Sequence, residues 1–279
     1  MGRIKICSRI EALTRPYHVV VFGQHEADIT ALTRLMADEY DSVETPRRFH
    51  RALLGQNLLH IYPSTAMGDM LENEQEFLRS VQANAYRLAV INRKIDVAIY
   101  CAHSEVLISA IGRNCRFIHS TLLRNSGLSL HMVTVNWSRQ GLVAGWWDST
   151  KAQIETETNG LKFVAHGSFF ASHGSEDVQG ERSKIAELLN RSVPNVEHLD
   201  TRPNDEDGLD EDFGNGWKVP ESLPGPDEWN SIKHFLVEQA GLPEALAQQA
   251  VPKLAPLELQ RYVSIRKSDR KTLPMTPTD

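Results

Sequence analysis

Three short apolar runs near the start of this chain each end in side chains that can do chemistry. The runs are His18–Gly23, Leu58–Tyr62 and Asp96–Tyr100. Because ligands of an open parallel sheet bind beyond the carboxyl ends of its strands, three neighbouring strands would bring these side chains into one site. The polar groups that follow the runs are Gln24, His25, Glu26, Asp28, Ser64, Thr65, Cys101, His103, Ser104 and Glu105.

Several of these groups suit acid–base, nucleophilic or metal chemistry. An imidazole beside a carboxylate can act as a general base, and a thiol beside an imidazole can act as a nucleophile. A divalent metal ion is the candidate cofactor, with His25 and Asp28 as its ligands. The candidate catalytic residues are His25, Glu26, Cys101 and His103, and the candidate substrate- or cofactor-binding residues are Gly23, Gln24, Ser64, Thr65 and Ser104.

The same residues also have structural explanations. Acidic side chains such as Glu26 and Asp28 are stabilising in the first turn of a helix, where they face the positive end of the helix dipole. A free cysteine such as Cys101 commonly packs as a small apolar side chain.

The composition is that of a globular protein and gives general expectations about partners and compartment. Hydrophobic residues make up 41% of the chain and charged residues 24%. The net charge of −6 gives no general attraction to nucleic acid. Three cysteines without close pairing indicate a reducing compartment rather than a disulfide framework. The chain has no apolar run of membrane-spanning length and its start lacks the apolar stretch of a secretory signal, so we expect a cytoplasmic protein.

The order of the predicted elements gives the fold class. Strands alternate with helices over about the first 115 residues, and the apolar stripe within Gly68–Lys94 predicts the longest helix. A shorter helix is expected at Phe49–Leu54. Consecutive strands follow over about 117–172, where Asn159-Gly160 between two runs of strand-forming residues is typical of a tight hairpin.

We therefore predict a three-layer α/β fold. Its mixed sheet has parallel N-terminal strands that continue into an antiparallel meander. The core domain covers 1–199, including a helix over 175–189, and an acidic linker or loop covers 200–226. A small helical appendage with a disordered tail covers 227–279.

One motif resembles that of a known family. The run Ile154-Glu155-Thr156-Glu157-Thr158-Asn159-Gly160-Leu161 is similar to the first motif of DnaQ-type 3′–5′ exonucleases, with Glu155 in place of the aspartate. The resemblance implies carboxylates that hold two metal ions on a phosphodiester. Alternating acidic residues on the solvent face of a hairpin explain the same run.

Three functions follow from these patterns. The first is a small-molecule enzyme, a hydrolase acting on a phosphate- or nucleotide-containing substrate at the strand ends. The second is a non-catalytic binding or protein-interaction module that uses the meander face and the C-terminal helices. The third is a metal-dependent nuclease.

Overall fold

The computed structural model describes residues 16–37, 49–54, 57–91, 95–103, 106–123, 130–136, 145–158, 160–170, 178–190 and 226–272. Six strands lie within this part of the chain: β1 (Tyr17–Gly23), β2 (His50–Leu54), β3 (Asn57–Pro63), β4 (Val97–His103), β5 (Leu130–Asn136) and β6 (His166–Phe170). The helices there are α1 (Glu26–Met36), α2 (Glu74–Ile91), α3 (Ile108–Phe117), α4 (Trp146–Glu157), α5 (Val178–Asn190), α6 (Pro226–Glu238) and α7 (Glu244–Thr272).

The strands form one mixed sheet in the order β2-β3-β1-β4-β5-β6. β2 pairs antiparallel with β3, and every other pair is parallel. The predicted α/β class, the mixed sheet and the C-terminal helices are confirmed. The order in which successive strands are added reverses at β1, because β3 lies on one side of it and β4 on the other.

The central strands are buried on both faces, which explains their nearly continuous apolar sequences. Successive side chains of β1 point to opposite faces, so Val20 and Phe22 join one apolar cluster while Val19 and Val21 join the other. Side chains of α2, α3, α4, α6 and α7 belong to the first cluster, and those of α1 and α5 belong to the second.

The predicted antiparallel meander over 117–172 is wrong. Ile118–Leu122 forms a π-helical turn directly after α3, and Trp146–Glu157 is a helix. β5 and β6 pair in parallel within the same sheet. The glycine of the Asn159-Gly160 pair ends α4: Gly160 has a positive φ of 79°, and its N–H donates to the Glu155 carbonyl at 2.7 Å, as in a glycine-capped helix.

Two shorter elements also differ from the prediction. Residues 50–54 form the antiparallel edge strand β2 rather than part of a short helix. Helix α7 runs from Glu244 to Thr272, so helical structure extends into the end of the chain that was predicted to be a disordered tail. The predicted acidic linker over 200–226 lies almost entirely outside the described residues, and the division into domains stays a prediction.

Candidate functional site

The ends of the three candidate strands lie side by side. Val21 of β1 is level with Pro63 of β3, and Gly23 is level with Cys101 of β4. Both pairs are parallel, so the loops after the three strands emerge at the same edge of the sheet. The placement expected from the sequence is therefore confirmed for the strands themselves.

The segment after β3 closes over the end of β1. The N–H of Ser64 donates to the Val21 carbonyl at 2.8 Å, and the N–H of Met67 donates to the Gly23 carbonyl at 2.9 Å. The N–H of Gly68 then donates to the Gln24 carbonyl at 3.1 Å. Residues 64–69, named here the closing loop, thus fill the edge where an open sheet would hold a ligand.

A buried asparagine of α2 holds the closing loop. Asn84 is 1% exposed, and its side chain accepts from the Thr65 N–H at 2.8 Å while donating to the Thr65 carbonyl at 2.9 Å. The Asn84 amide therefore bonds both the N–H and the carbonyl of Thr65, as a neighbouring strand would. Sequence reasoning missed Asn84, although a polar residue on the apolar side of a predicted helix is a signal that could have found it.

A second set of contacts ties the loop to α3. Asn114, 1% exposed, donates from Nδ2 to the Gly68 carbonyl at 2.9 Å and to the Tyr100 hydroxyl at 3.2 Å. Arg113 forms an ion pair with Asp69 at 3.1 Å. The closing loop is therefore braced from both α2 and α3.

The start of α1 carries negative charge. Glu26 is exposed, and its carboxylate accepts from the Ala66 N–H at 3.3 Å, whereas Asp28 is 1% exposed. His25 is the exposed N-cap residue, and its side chain makes no capping hydrogen bond. Both carboxylates would repel a phosphate group that approached this end of the helix.

The residues present do not fit a phosphate-binding loop. Such a loop has the pattern G-x-x-x-x-G-K-[ST] between a strand and a helix. Counted from Gly23, Asp28 and Ile29 stand where the pattern needs glycine and lysine, and Thr30 alone agrees. The cation that would contact the phosphates is missing from this turn.

The side chain of Cys101 packs in the apolar core on one face of the sheet. Its side chain is fully buried, and its thiol donates to the Phe22 carbonyl at 3.1 Å. Burial raises the pKa of the Cys101 thiol well above its ordinary value, and the nearby Asp28 carboxylate raises it further. The thiolate that a nucleophile needs is therefore disfavoured.

The remaining candidates are spread along the same edge. Ser64 is 3% exposed and donates its hydroxyl to the Thr65 carbonyl at 3.3 Å. His103 is half-buried at the end of β4, and Ser104 lies outside the described residues. The catalytic and binding roles of these residues stay predictions.

The described residues contain no group of three or more His, Cys, Asp or Glu side chains that could hold a metal ion. Of the two predicted ligands, His25 is exposed and Asp28 is buried. A metal ion bound at this edge by His25 and Asp28 stays a prediction, and the described side chains add no further support for it.

The segment that resembles an exonuclease motif has a different setting. Glu155 lies on helix α4, not at the end of a strand. Its carboxylate pairs with Lys162 at 2.6 Å and lies 3.9 Å from the Lys151 ammonium. Two lysines therefore surround the carboxylate that the motif would assign to a metal ion.

Part of this chain is similar to several solved structures at low sequence identity. The translation elongation factor SelB from Methanococcus maripaludis is 15% identical with a TM-score of 0.40, over 66% of this chain and 37% of SelB. SsGBP in complex with GDP is 13% identical with a TM-score of 0.40, over 67% of this chain and 55% of SsGBP. The FeoB G-domain from Methanococcus jannaschii is 13% identical with a TM-score of 0.36, over 63% of this chain and 95% of that domain.

This chain spans about a third to a half of SelB and SsGBP. No protein-family model matches the sequence, and no curated protein is similar to it. Among the described helices, none combines the length and apolar character needed to cross a membrane.

Proposed function

We propose that this chain is a non-catalytic protein-interaction module built on an α/β sheet. The observation that carries the proposal is the closing loop, whose backbone N–H groups donate hydrogen bonds to the carbonyls at the end of β1. A ligand entering between β1 and β3 would have to displace these bonds, each of which contributes about 1 kcal/mol net.

The charges at the same edge support this function. Glu26 and Asp28 stand where a phosphate would meet the helix start, and no lysine or arginine occurs between Gly23 and Thr30. Burial also holds the Cys101 thiol in its protonated form. The turn from Gly23 to Thr30 therefore supplies no cation of its own, and Cys101 is not the activated nucleophile that a phosphate hydrolase would use.

The interaction surface then belongs to the helical layer on one face of the sheet. Of the two surfaces considered from the sequence, the meander face is absent and the C-terminal helices remain. Helix α7 packs along α2, the helix whose Asn84 holds the closing loop.

Thermal denaturation in the presence of nucleotides tests this function. With GDP, GTP, ADP or ATP, each with and without Mg²⁺ or Mn²⁺, we expect the melting temperature to shift by less than about 1 °C at millimolar ligand. We also expect no release of phosphate from GTP or ATP. A saturable rise with one nucleotide, or turnover above a buffer control, would contradict the proposal.

One observation favours the hydrolase as the second candidate. Gln24 is 8% exposed, and its Oε1 makes no hydrogen bond to any described residue. A donor group on a small ligand at the strand ends would satisfy this buried oxygen. In that case Gln24→Ala removes the nucleotide-induced rise in melting temperature, while the exposed control Glu74→Gln on α2 leaves it unchanged.

A further inference from the structure

A groove runs between helices α2 and α7. It is a shallow, open groove of about 390 Å³, lined by Arg79, Gln82, Ala83, Tyr86 and Pro256. The four α2 residues are spaced i, i+3, i+4 and i+7, so they form one stripe along the helix. The two walls are joined where the Lys253 ammonium donates to the Gln82 side chain at 3.1 Å.

The groove has an apolar surface with an exposed ring. Tyr86 is 44% exposed, and Ala83 and the ring of Pro256 lie beside it. Exposed tyrosine and arginine side chains are the types that most often anchor protein partners. An apolar or aromatic side chain of a ligand could therefore pack on Tyr86.

The charge of the groove is opposite in sign to that of the whole chain. Arg79 is exposed and forms no ion pair with any described residue, and Lys253 lies on the facing wall. The acidic side chain nearest in sequence on α2, Glu76, accepts a hydrogen bond from Asn73 at 2.9 Å. On α7, Glu258 is 8% exposed.

The sequence of α7 extends this basic character beyond the groove. Five basic residues and one acidic residue, Asp269, occur over 261–272; the basic residues are Arg261, Arg266, Lys267, Arg270 and Lys271. In a chain with a net charge of −6, the sequence of this helix is therefore locally basic. Charge complementarity therefore selects an acidic ligand.

We propose that the groove between α2 and α7 binds an acidic peptide segment of a partner protein, with an aromatic or aliphatic anchor residue. The anchor packs on Tyr86 and Pro256, and carboxylates on either side of it pair with Arg79 and Lys253. This assignment rests on the proposed function, because it names the partner of the interaction module.

Fluorescence polarisation with a labelled probe tests the groove. The probe is a peptide of about 12 residues made of Asp, Glu, Leu and one Trp, and its control carries Lys in place of every acid. We expect saturable binding of the acidic probe by the full chain, with a Kd of about 10 µM that rises with salt. Equal binding of the basic control, or no saturable binding in any form of the chain, would overturn the assignment.

Substitutions in the groove test whether the probe binds there. Arg79→Glu and Tyr86→Ala should each weaken binding about tenfold or more. The matched control Arg34→Glu changes an exposed arginine on α1, on the other face of the sheet, and should leave the Kd unchanged. Equal weakening by Arg34→Glu, or no weakening by the two groove variants, would overturn the site. Unchanged melting temperatures show that the variants are folded.

A further variant distinguishes a partner from the chain itself. Residues 205–213 carry six acidic residues and end in Phe213. If this segment binds the groove, it competes with the probe at a high effective concentration, because it belongs to the same chain. If the probe binds only after Asp205, Asp207, Asp210 and Asp212 are changed to Asn, the occupant is this segment and the partner assignment is overturned. Nucleotide binding without peptide binding would instead refute the proposed function.

Discussion

Gly23 and Cys101 face each other on β1 and β4 with no room for a further side chain. A Cβ added at Gly23 would lie 2.6 Å from the Cys101 sulfur and 2.9 Å from Cγ1 of Ile29. We therefore expect Gly23→Ala to lower the free energy of unfolding by about 1–3 kcal/mol, because overpacking forces neighbouring groups to move. Urea denaturation measures this change.

The cysteine supplies the control for this prediction. Cys101→Ala removes the sulfur that the new methyl group would strike, while the contact with Ile29 remains. In the Cys101→Ala background, Gly23→Ala should cost less than it does in the wild type. Strictly additive costs would show that the two positions are not in contact.

His166 gives a pH dependence with a defined sign. Its ring stacks on Trp147 with centroids 4.6 Å apart, and its Nε2 lies 2.9 Å from the Thr134 hydroxyl. Burial lowers the pKa of His166 to about 4, although the Asp148 carboxylate opposes the shift. Since the unfolded imidazole titrates near 6.5, the stabilisation is present above that pH and is lost as the pH falls towards 4.

Replacing this histidine should therefore flatten the acid side of the stability profile. Between about pH 7.5 and pH 5, we expect the melting temperature to fall less for His166→Gln than for the wild type. Burial also lowers the pKa of His131 to about 4, so the slope should decrease rather than disappear. An unchanged slope would mean that His166 is not buried in the folded protein.

At the residue level, the sequence predicted that the ends of three strands would lie side by side, but not that a loop closes over them. Gly23 ends an apolar run, and Ser64 and Cys101 come just after two others; these three runs are neighbouring parallel strands. The closure depends on Asn84 and Asn114, whose side chains bond to backbone carbonyls 19 and 46 residues away along the chain. Such contacts depend on tertiary placement, which no local pattern records.

A glycine just after helix α4 has a backbone conformation that other residues adopt poorly. Gly160 has a φ of 79°, and apart from its two neighbours in the chain no described residue has an atom within 4 Å of the position that a Cβ would take. Gly160→Ala should therefore cost about 1 kcal/mol of stability through backbone strain alone. Gly160→Asn should cost less, because asparagine tolerates the left-handed conformation. Equal losses for both variants, measured by urea denaturation, would point to a cause other than φ.

The same segment shows why some elements could not be predicted. Residues 153–158 alternate between polar and β-branched types. Asn-Gly is typical of both a hairpin turn and the end of a helix. The helix forms with the hydroxyl of Thr156 bonded to the Ala152 carbonyl and that of Thr158 to the Ile154 carbonyl. The runs of β1, β3 and β4 were predictable because burial on both faces requires continuous apolar residues.

The C-terminal helices share the apolar cluster of the sheet and α2. Leu236, Leu246 and Leu254 are at most 1% exposed and belong to the same cluster as Phe77 and Val81. We expect the full chain to unfold in one transition, with tryptophan fluorescence and circular dichroism coinciding. A chain ending at residue 225 should have a lower urea midpoint or aggregate, because α2 would expose its apolar side.

The opposite result would support the separate appendage predicted from the sequence. Two resolved transitions, or a truncated chain with an unchanged urea midpoint, would show that residues 227–279 fold independently of the sheet.

The contact between Gly23 and Cys101 also limits how this sequence can change during evolution. A side chain at position 23 would clash with the sulfur of Cys101. Among descendants of this chain, substitutions at the two positions should therefore be correlated, with a side chain at 23 found only beside a smaller residue at 101.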